Sequence, residues 1–290
     1  MADICTQGID TGFVALGYAK VALLGVVQGI TELLPISSTA HMRLVPAVFG
    51  WQDPGSAFSA AMQLAALAAV VSYFWHDVRE LATNSLVAIR KGKFHDPYLR
   101  FAVWIVLATV PIGVAGLLLA KLLNSCNSSL RNLSVIGWAC IAMALLLGFA
   151  EVRARHKRTI DNSTFIDAML IGVAQIGALI PGVSRSGSTL TAALALGFRR
   201  DESARLSFLL GLPAIALAGL KEFWELYRIH LSAHGWTVLF VGIVVASVSA
   251  FFAIWGLMRF LERFSTWPFV VYRFLLGIVI LTAVSMGLVA

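Results

Sequence analysis

Apolar sequence dominates this chain, and two of its apolar stretches are broken in the middle by proline, hydroxyl residues and charge. Six runs, roughly 58–75, 99–123, 133–150, 203–224, 235–260 and 268–289, have no such break. Each reaches the ~20 residues that cross about 30 Å of hydrocarbon, the first only just. With 59% hydrophobic residues, 13% charged and a mean hydropathy of +0.85, the chain lies far from the roughly 25% charged of a soluble domain. The expected class is therefore an all-α polytopic membrane protein, a single membrane domain over 1–290. Met1 to Gly12 carries Asp3 and Asp10 but no Lys or Arg, so the first apolar segment is expected to be retained rather than cleaved as a signal peptide. Cys5, Cys126 and Cys140 have no metal-ligand spacing and are assigned no chemistry.

The broken stretches are 16–49 and 164–198. Proline removes a backbone donor and disfavours helix in the residue before it, so each stretch splits into two half-helices. Loop charge decides whether a split stretch crosses or turns back. If both turn back, one side of the membrane collects 14 Lys and Arg, from Arg79 to Arg263, and the other holds Lys20, Lys121, Arg131, Lys221 and Arg228. If both cross, the split weakens to 12 against 7. The positive-inside rule thus favours two re-entrant hairpins with both termini outside. The net charge of +7 is a topology signal, and no basic stripe for nucleic acid is present.

Gly25-Val-Val-Gln28 recurs as Gly172-Val-Ala-Gln175, followed each time by proline and a serine-rich turn. The chain reads as two repeats, about 1–150 and 151–290. One hairpin plus three spans is an odd number of crossings, so the copies have inverted topology. Binding sites in such plans lie where the broken helices meet.

Two motifs meet there. Intramembrane charge is costly and read as functional by default, with its partner to be named. The second motif, Pro181-Gly-Val-Ser184-Arg185-Ser186-Gly187-Ser188-Thr189, puts hydroxyls and one guanidinium at the start of a half-helix, an anion cradle suited to phosphate. The first is Gln28-x-x-x-Glu32 followed by Pro35-Ile-Ser37-Ser38-Thr39-Ala-His41. Gln28 and Glu32, four apart, share a helix face. A divalent cation bridging Glu32 and a diphosphate is the economical partner. Ser38 and His41, three apart, form a candidate nucleophile and base, or a base with a water. Arg273, near the start of the last run, is expected to snorkel to a headgroup or touch lipid.

These residues closely resemble the undecaprenyl-diphosphatase, or bacitracin-resistance, family over nearly the whole chain. Its (Glu/Gln)-x-x-x-Glu segment is matched by Gln28 to Glu32, its Pro-x-Ser-Ser-Thr-x-His by Pro35 to His41, and its Pro-Gly-x-Ser-Arg-Ser-x-x-Thr by Pro181 to Thr189. Tyr272-Arg273-Phe in the last run is a supporting match. The resemblance implies six spans and two re-entrant hairpins as inverted repeats in the bacterial inner membrane. It implies hydrolysis of undecaprenyl diphosphate to undecaprenyl phosphate and phosphate, recycling the carrier for peptidoglycan, with Mg²⁺ or Ca²⁺ as cofactor. By position, Glu32 holds the metal and activates the attack, Ser38 is nucleophile or phosphate donor, His41 is the acid/base and Arg185 clamps the phosphoryl group. Gln28, Ser37, Thr39, Ser184, Ser186, Gly187 and Thr189 surround the substrate. Gln28 stands where many members carry Glu, and Ala40 where glycine is usual. The expected partners are the lipid diphosphate and membrane lipids, with a homodimer left open and the site opening outward.

A polyprenyl-phosphate carrier on the same plan is the alternative, but a pure carrier needs no acid/base set. The other common membrane lipid-phosphatase signature fails, because the next histidine after Arg185 is His230, with no acid four places on.

Overall fold

The computed structural model describes residues 5–6, 9–119, 130 and 132–289; Lys121, Cys126 and Arg131 lie outside the described residues. A short antiparallel pair, β1 (Cys5–Thr6) and β2 (Ile9–Asp10), precedes an all-helical body. The helices are α1 (Phe13–Leu33), α2 (Ser38–Val48), α3 (Ser56–Ala61), α4 (Gln63–Tyr73), α5 (Trp75–Arg90) and α6 (Pro97–Leu118). After them come α7 (Leu133–Arg153), α8 (Phe165–Ala174), α9 (Arg185–Ala195), α10 (Arg200–Arg228), α11 (Ala233–Leu261) and α12 (Trp267–Ser285).

Among the described residues six helices, α1, α6, α7, α10, α11 and α12, are long and apolar enough to cross a membrane, so the chain is a multi-pass membrane protein. Five of them fall on expected uninterrupted runs. The run expected at 58–75 is instead α3 and α4, which turn through 82° into α5. The bend comes where the apolar run ends and His76-Asp77-Val78-Arg79-Glu80 begins.

Length alone would class α1 with the spans, but the path of the chain shows a hairpin. Both predicted breaks occur, at 34–37 and at 180–184. Beyond the first, α2 runs back, and Phe13 N–H donates to Pro54 O at 3.0 Å, closing the hairpin at the level where it began. Lys20 sits over the Trp51 ring at that mouth. The second hairpin, α8 and α9, closes where Lys157 and Arg158 N–H donate to Gly197 O at 3.0 and 3.1 Å. There the Arg158 guanidinium also holds Asp167 in two hydrogen bonds and the Leu196 carbonyl. α4 carries the chain from the first mouth to the Asp77–Arg205 ion pair (2.7 Å), beside the second. The mouths therefore lie at opposite ends of the bundle.

Each entry arm leans on a span from the other half of the chain. A methyl on Gly25 would stand 2.8 Å from Gly242 O of α11, and one on Gly172 2.8 Å from the Ala108 Cα of α6. Lipid gives helices no hydrophobic reason to associate, so close van der Waals packing over small residues carries the contact. The repeated glycines mark these two crossings.

Candidate active site

Both hairpin turns use one backbone device. Ser37 and Ser184 take left-handed φ of 73° and 70°, and each hydroxyl accepts the N–H three residues on, Ala40 at 3.3 Å and Gly187 at 3.2 Å. A non-glycine residue at positive φ is held there only by surroundings that over-determine it, and such residues cluster at functional sites. The caps satisfy one of the free donors at the starts of α2 and α9, worth about 1 kcal/mol each.

On the first hairpin, Gln28 Nε2 donates to Glu32 Oε2 at 2.9 Å, as their spacing predicts. Ser38 Oγ donates to the same oxygen at 2.6 Å. The expected pairing of Ser38 with His41 is not made. His41 Nδ1 lies 2.8 Å from Ser37 O, so it carries the proton, and Nε2 takes the Tyr272 hydroxyl at 2.6 Å. The reason is helix geometry. Ser38 is the first residue of α2 and its side chain leans back toward Glu32, while His41, a turn later, faces α12. Thr39 is half-buried beside them.

On the second hairpin, Arg185 NH2 stands 3.6 Å from Glu32 Oε1, near enough for an ion pair and too far for a hydrogen bond. All three guanidinium nitrogens are buried and have no hydrogen-bond partner among the described residues. Gly211 of α10 leaves the room this guanidinium fills, since any Cβ there would collide with NH1. The hydroxyls around it serve the scaffold. Ser186 reaches across to the Glu32 and Leu34 carbonyls at 3.1 and 3.2 Å, and Thr189 bonds the Arg185 carbonyl at 2.8 Å and the Ser207 hydroxyl. Ser184 Oγ lies 3.2 Å from Ser186 Oγ.

Arg273 overturns its sequence-based expectation. It neither snorkels nor touches lipid: it is fully buried. NH1 donates to Pro35 O at 3.1 Å, and NH2 to Gly182 O and Val183 O at 2.8 and 2.9 Å. One cation thus ties the first turn to the second through carbonyls that their irregular backbone leaves free. Gly187 makes the space, because a Cβ there would come 2.5 Å from Arg273 NH1. Tyr272, its neighbour, lies edge to edge with His41, the rings nearly parallel and their centroids 5.7 Å apart. The adjacent Tyr-Arg pair in an apolar run was the available signal for both residues.

Residues 21–279 match the family described as bacitracin resistance protein BacA. The chain is 72% identical over 263 residues to a protein named undecaprenyl-diphosphatase 2 from Mesorhizobium japonicum, covering 91% of this chain and all of that one. It is 47% identical to the undecaprenyl-diphosphatase of Gloeobacter violaceus, covering 94% of each, and 45% identical to that of Trichormus variabilis, covering 97% of this chain and 88% of the relative. Matched over residues 21–279 and at this identity to relatives covered over most of their length, this protein belongs to the BacA bacitracin-resistance family.

Proposed function

We propose that this chain hydrolyses undecaprenyl diphosphate to undecaprenyl phosphate and phosphate, recycling the carrier lipid for peptidoglycan synthesis and conferring bacitracin resistance. Family membership and the names of its relatives support the reading. The observation that carries it is Arg185, a buried guanidinium whose nitrogens have no hydrogen-bond acceptor among the described residues and which faces Glu32 between two turns. Orphaned donors in such a place await an anion, and the planar fork matches phosphate oxygens.

In this reading Arg185 holds the terminal phosphoryl group and takes up its developing charge. Glu32 is placed to accept the Ser38 proton across 2.6 Å. Ser38 Oγ, or a water in its place, attacks the terminal phosphorus. The bond from that phosphorus to the bridging oxygen breaks, and undecaprenyl phosphate leaves with that oxygen. On the serine route, water then hydrolyses the phosphoserine. His41 holds its one proton on Nδ1 against Ser37 O and accepts from Tyr272 at Nε2, so it protonates the leaving side only after Nε2 takes up a proton from solvent. Arg273 holds the two turns in register, so Glu32 and Arg185 face each other without relying on loop stiffness.

No group of three or more His, Cys, Asp or Glu that could hold a metal exists among the described residues. The oxygens present still fit Mg²⁺ or Ca²⁺ shared with substrate: the Glu32 carboxylate, the Ser38 hydroxyl and Gln28 Oε1, which is buried with no hydrogen-bond partner among the described residues. A bound cation would neutralise charge on the diphosphate and favour departure of the leaving phosphate.

The two hairpins are read as members of inverted repeats, about 1–150 and 151–290, in the bacterial inner membrane, with the first mouth on the outer face. The shared serine turn, the reciprocal glycine crossings and the loop charge support this. Trp51→Cys, at the first mouth, should react with a membrane-impermeant thiol reagent in intact cells; protection would reverse the orientation.

The deciding experiment is phosphate release from undecaprenyl diphosphate by the purified protein with Mg²⁺ or Ca²⁺ and then EDTA, beside His41→Ala. Metal-dependent release that the variant loses is expected. A folded protein that binds the lipid without releasing phosphate would instead be a carrier.

A further inference from the structure

Gln175 is fully buried, and neither its amide nitrogen nor its amide oxygen has a hydrogen-bond partner among the described residues. A buried amide left in that state is costly unless something else reaches it.

Its place in the second hairpin indicates what does. Gly25, Gln28 and Ser37 stand at one constant offset from Gly172, Gln175 and Ser184. Arg273 donates to Pro35 O and Gly182 O, a pair at the same offset. In that register Ser38 corresponds to Arg185, and Glu32 to Leu179. In the first hairpin one carboxylate oxygen of Glu32 takes both the Gln28 amide at 2.9 Å and the Ser38 hydroxyl at 2.6 Å. The second hairpin carries the corresponding donors, Gln175 and Arg185, but has leucine where the shared carboxylate would be. Leu179 lies against α6, its Cδ2 3.9 Å from where a Cβ on Gly116 would stand. The donors of both residues are left without acceptors among the described residues. The 3₁₀ turn that begins at Gln175, Gln175–Leu179, packs on the start of α9: a Cβ on Gly177 would lie 3.3 Å from Val183 Cγ1 and 4.0 Å from Ser188 Cβ.

We propose that Gln175 is a further substrate-binding residue, donating its amide N–H to a diphosphate oxygen that Arg185 also holds. The inference rests on the diphosphatase reading and adds a residue to its site. The substrate oxygen does in the second hairpin what the Glu32 carboxylate does in the first. An amide suits that task, because it strengthens the hold on an anion without adding a further charge at membrane depth.

Gln175→Leu keeps an apolar side chain in place and removes both polar groups. Ser203→Ala is the control, since the Ser203 hydroxyl is equally buried and unpartnered but lies at the start of α10. Calorimetry with Mg²⁺ measures the Kd of methylenediphosphonate, a diphosphate analogue that cannot be hydrolysed, and phosphate release measures KM for undecaprenyl diphosphate. Gln175→Leu is expected to raise both constants about tenfold with kcat little changed, and to leave Tm level or higher, since an unpaired buried amide is gone. Ser203→Ala should leave both constants as they are. An unchanged Kd in Gln175→Leu, with or without a fall in Tm, would make the amide a structural group, and an equal weakening in Ser203→Ala would mark a general response of the bundle; either overturns the proposal. If the unaltered protein releases no phosphate, the diphosphatase reading fails separately, and the calorimetric Kd alone decides the role of Gln175. No binding of methylenediphosphonate by the unaltered protein overturns it as well.

Discussion

The two hairpins share a backbone and divide the chemistry. Ser37 and Ser184 cap α2 and α9 with nearly the same φ, yet the next residue is Ser38 in one and Arg185 in the other. The first arm brings the carboxylate, the hydroxyl and the imidazole; the second brings the cation. Three residues beyond each cap the contrast repeats. Ala40 is buried in a cluster with Ile136, Cys140 and Leu276, while Gly187 leaves its space to Arg273. Two turns can thus share a geometry while their side chains differ, because hydrogen bonds to backbone hold the turn and leave the neighbouring positions free to vary.

Arg185→Ala gives the largest expected effect, a loss of kcat by about three orders of magnitude or more. The fold should hold but its Tm should fall, since Glu32 is left buried without its counter-charge. Near-normal turnover would remove the cation from the second hairpin's share of the work. Glu32→Gln should cost about 10²–10³ in kcat and abolish the response to EDTA; retained metal dependence would move the cation elsewhere. Arg273→Met tests the tie between the hairpins. Leaving the Pro35, Gly182 and Val183 carbonyls unpaired should cost about 3 kcal/mol, a Tm fall of roughly 6–12 °C, and an unchanged Tm would mean the hairpins hold their own register. Tyr272→Phe should lower kcat about tenfold with KM unchanged and alter the pH profile. The smallest effect is expected at the caps, where Ser37→Ala and Ser184→Ala should each cost about 1 kcal/mol in thermal unfolding. A large difference between them would end the likeness of the two turns.

Much of this was legible in the sequence because it depends on local spacing. The hairpins followed from proline and loop charge, the Gln28–Glu32 contact from a four-residue separation, and the exposed Arg-rich loops from composition. The failures share a cause. Arg273 near the start of an apolar run reads as a snorkelling residue, since nothing in its own helix says what covers it. Its partners come from positions 35, 182 and 183, and only the packing of α12 behind both turns buries it. Ser38 and His41 likewise have the spacing of a pair, but their directions from α2 send one to Glu32 and the other to Tyr272.

The sequence by itself determined that the chain lives in a bilayer, that two of its segments break and return, and which carboxylate and guanidinium lie at the breaks. Hydropathy, proline and charge act over a few residues at a time, so their consequences can be read along the chain. The tertiary structure decided which groups meet: Glu32 with Ser38 and Arg185, His41 with Tyr272, and Arg273 with both turns. Those contacts join helices far apart in sequence, and their partners are largely backbone carbonyls or single side chains whose direction is set only when the helices pack.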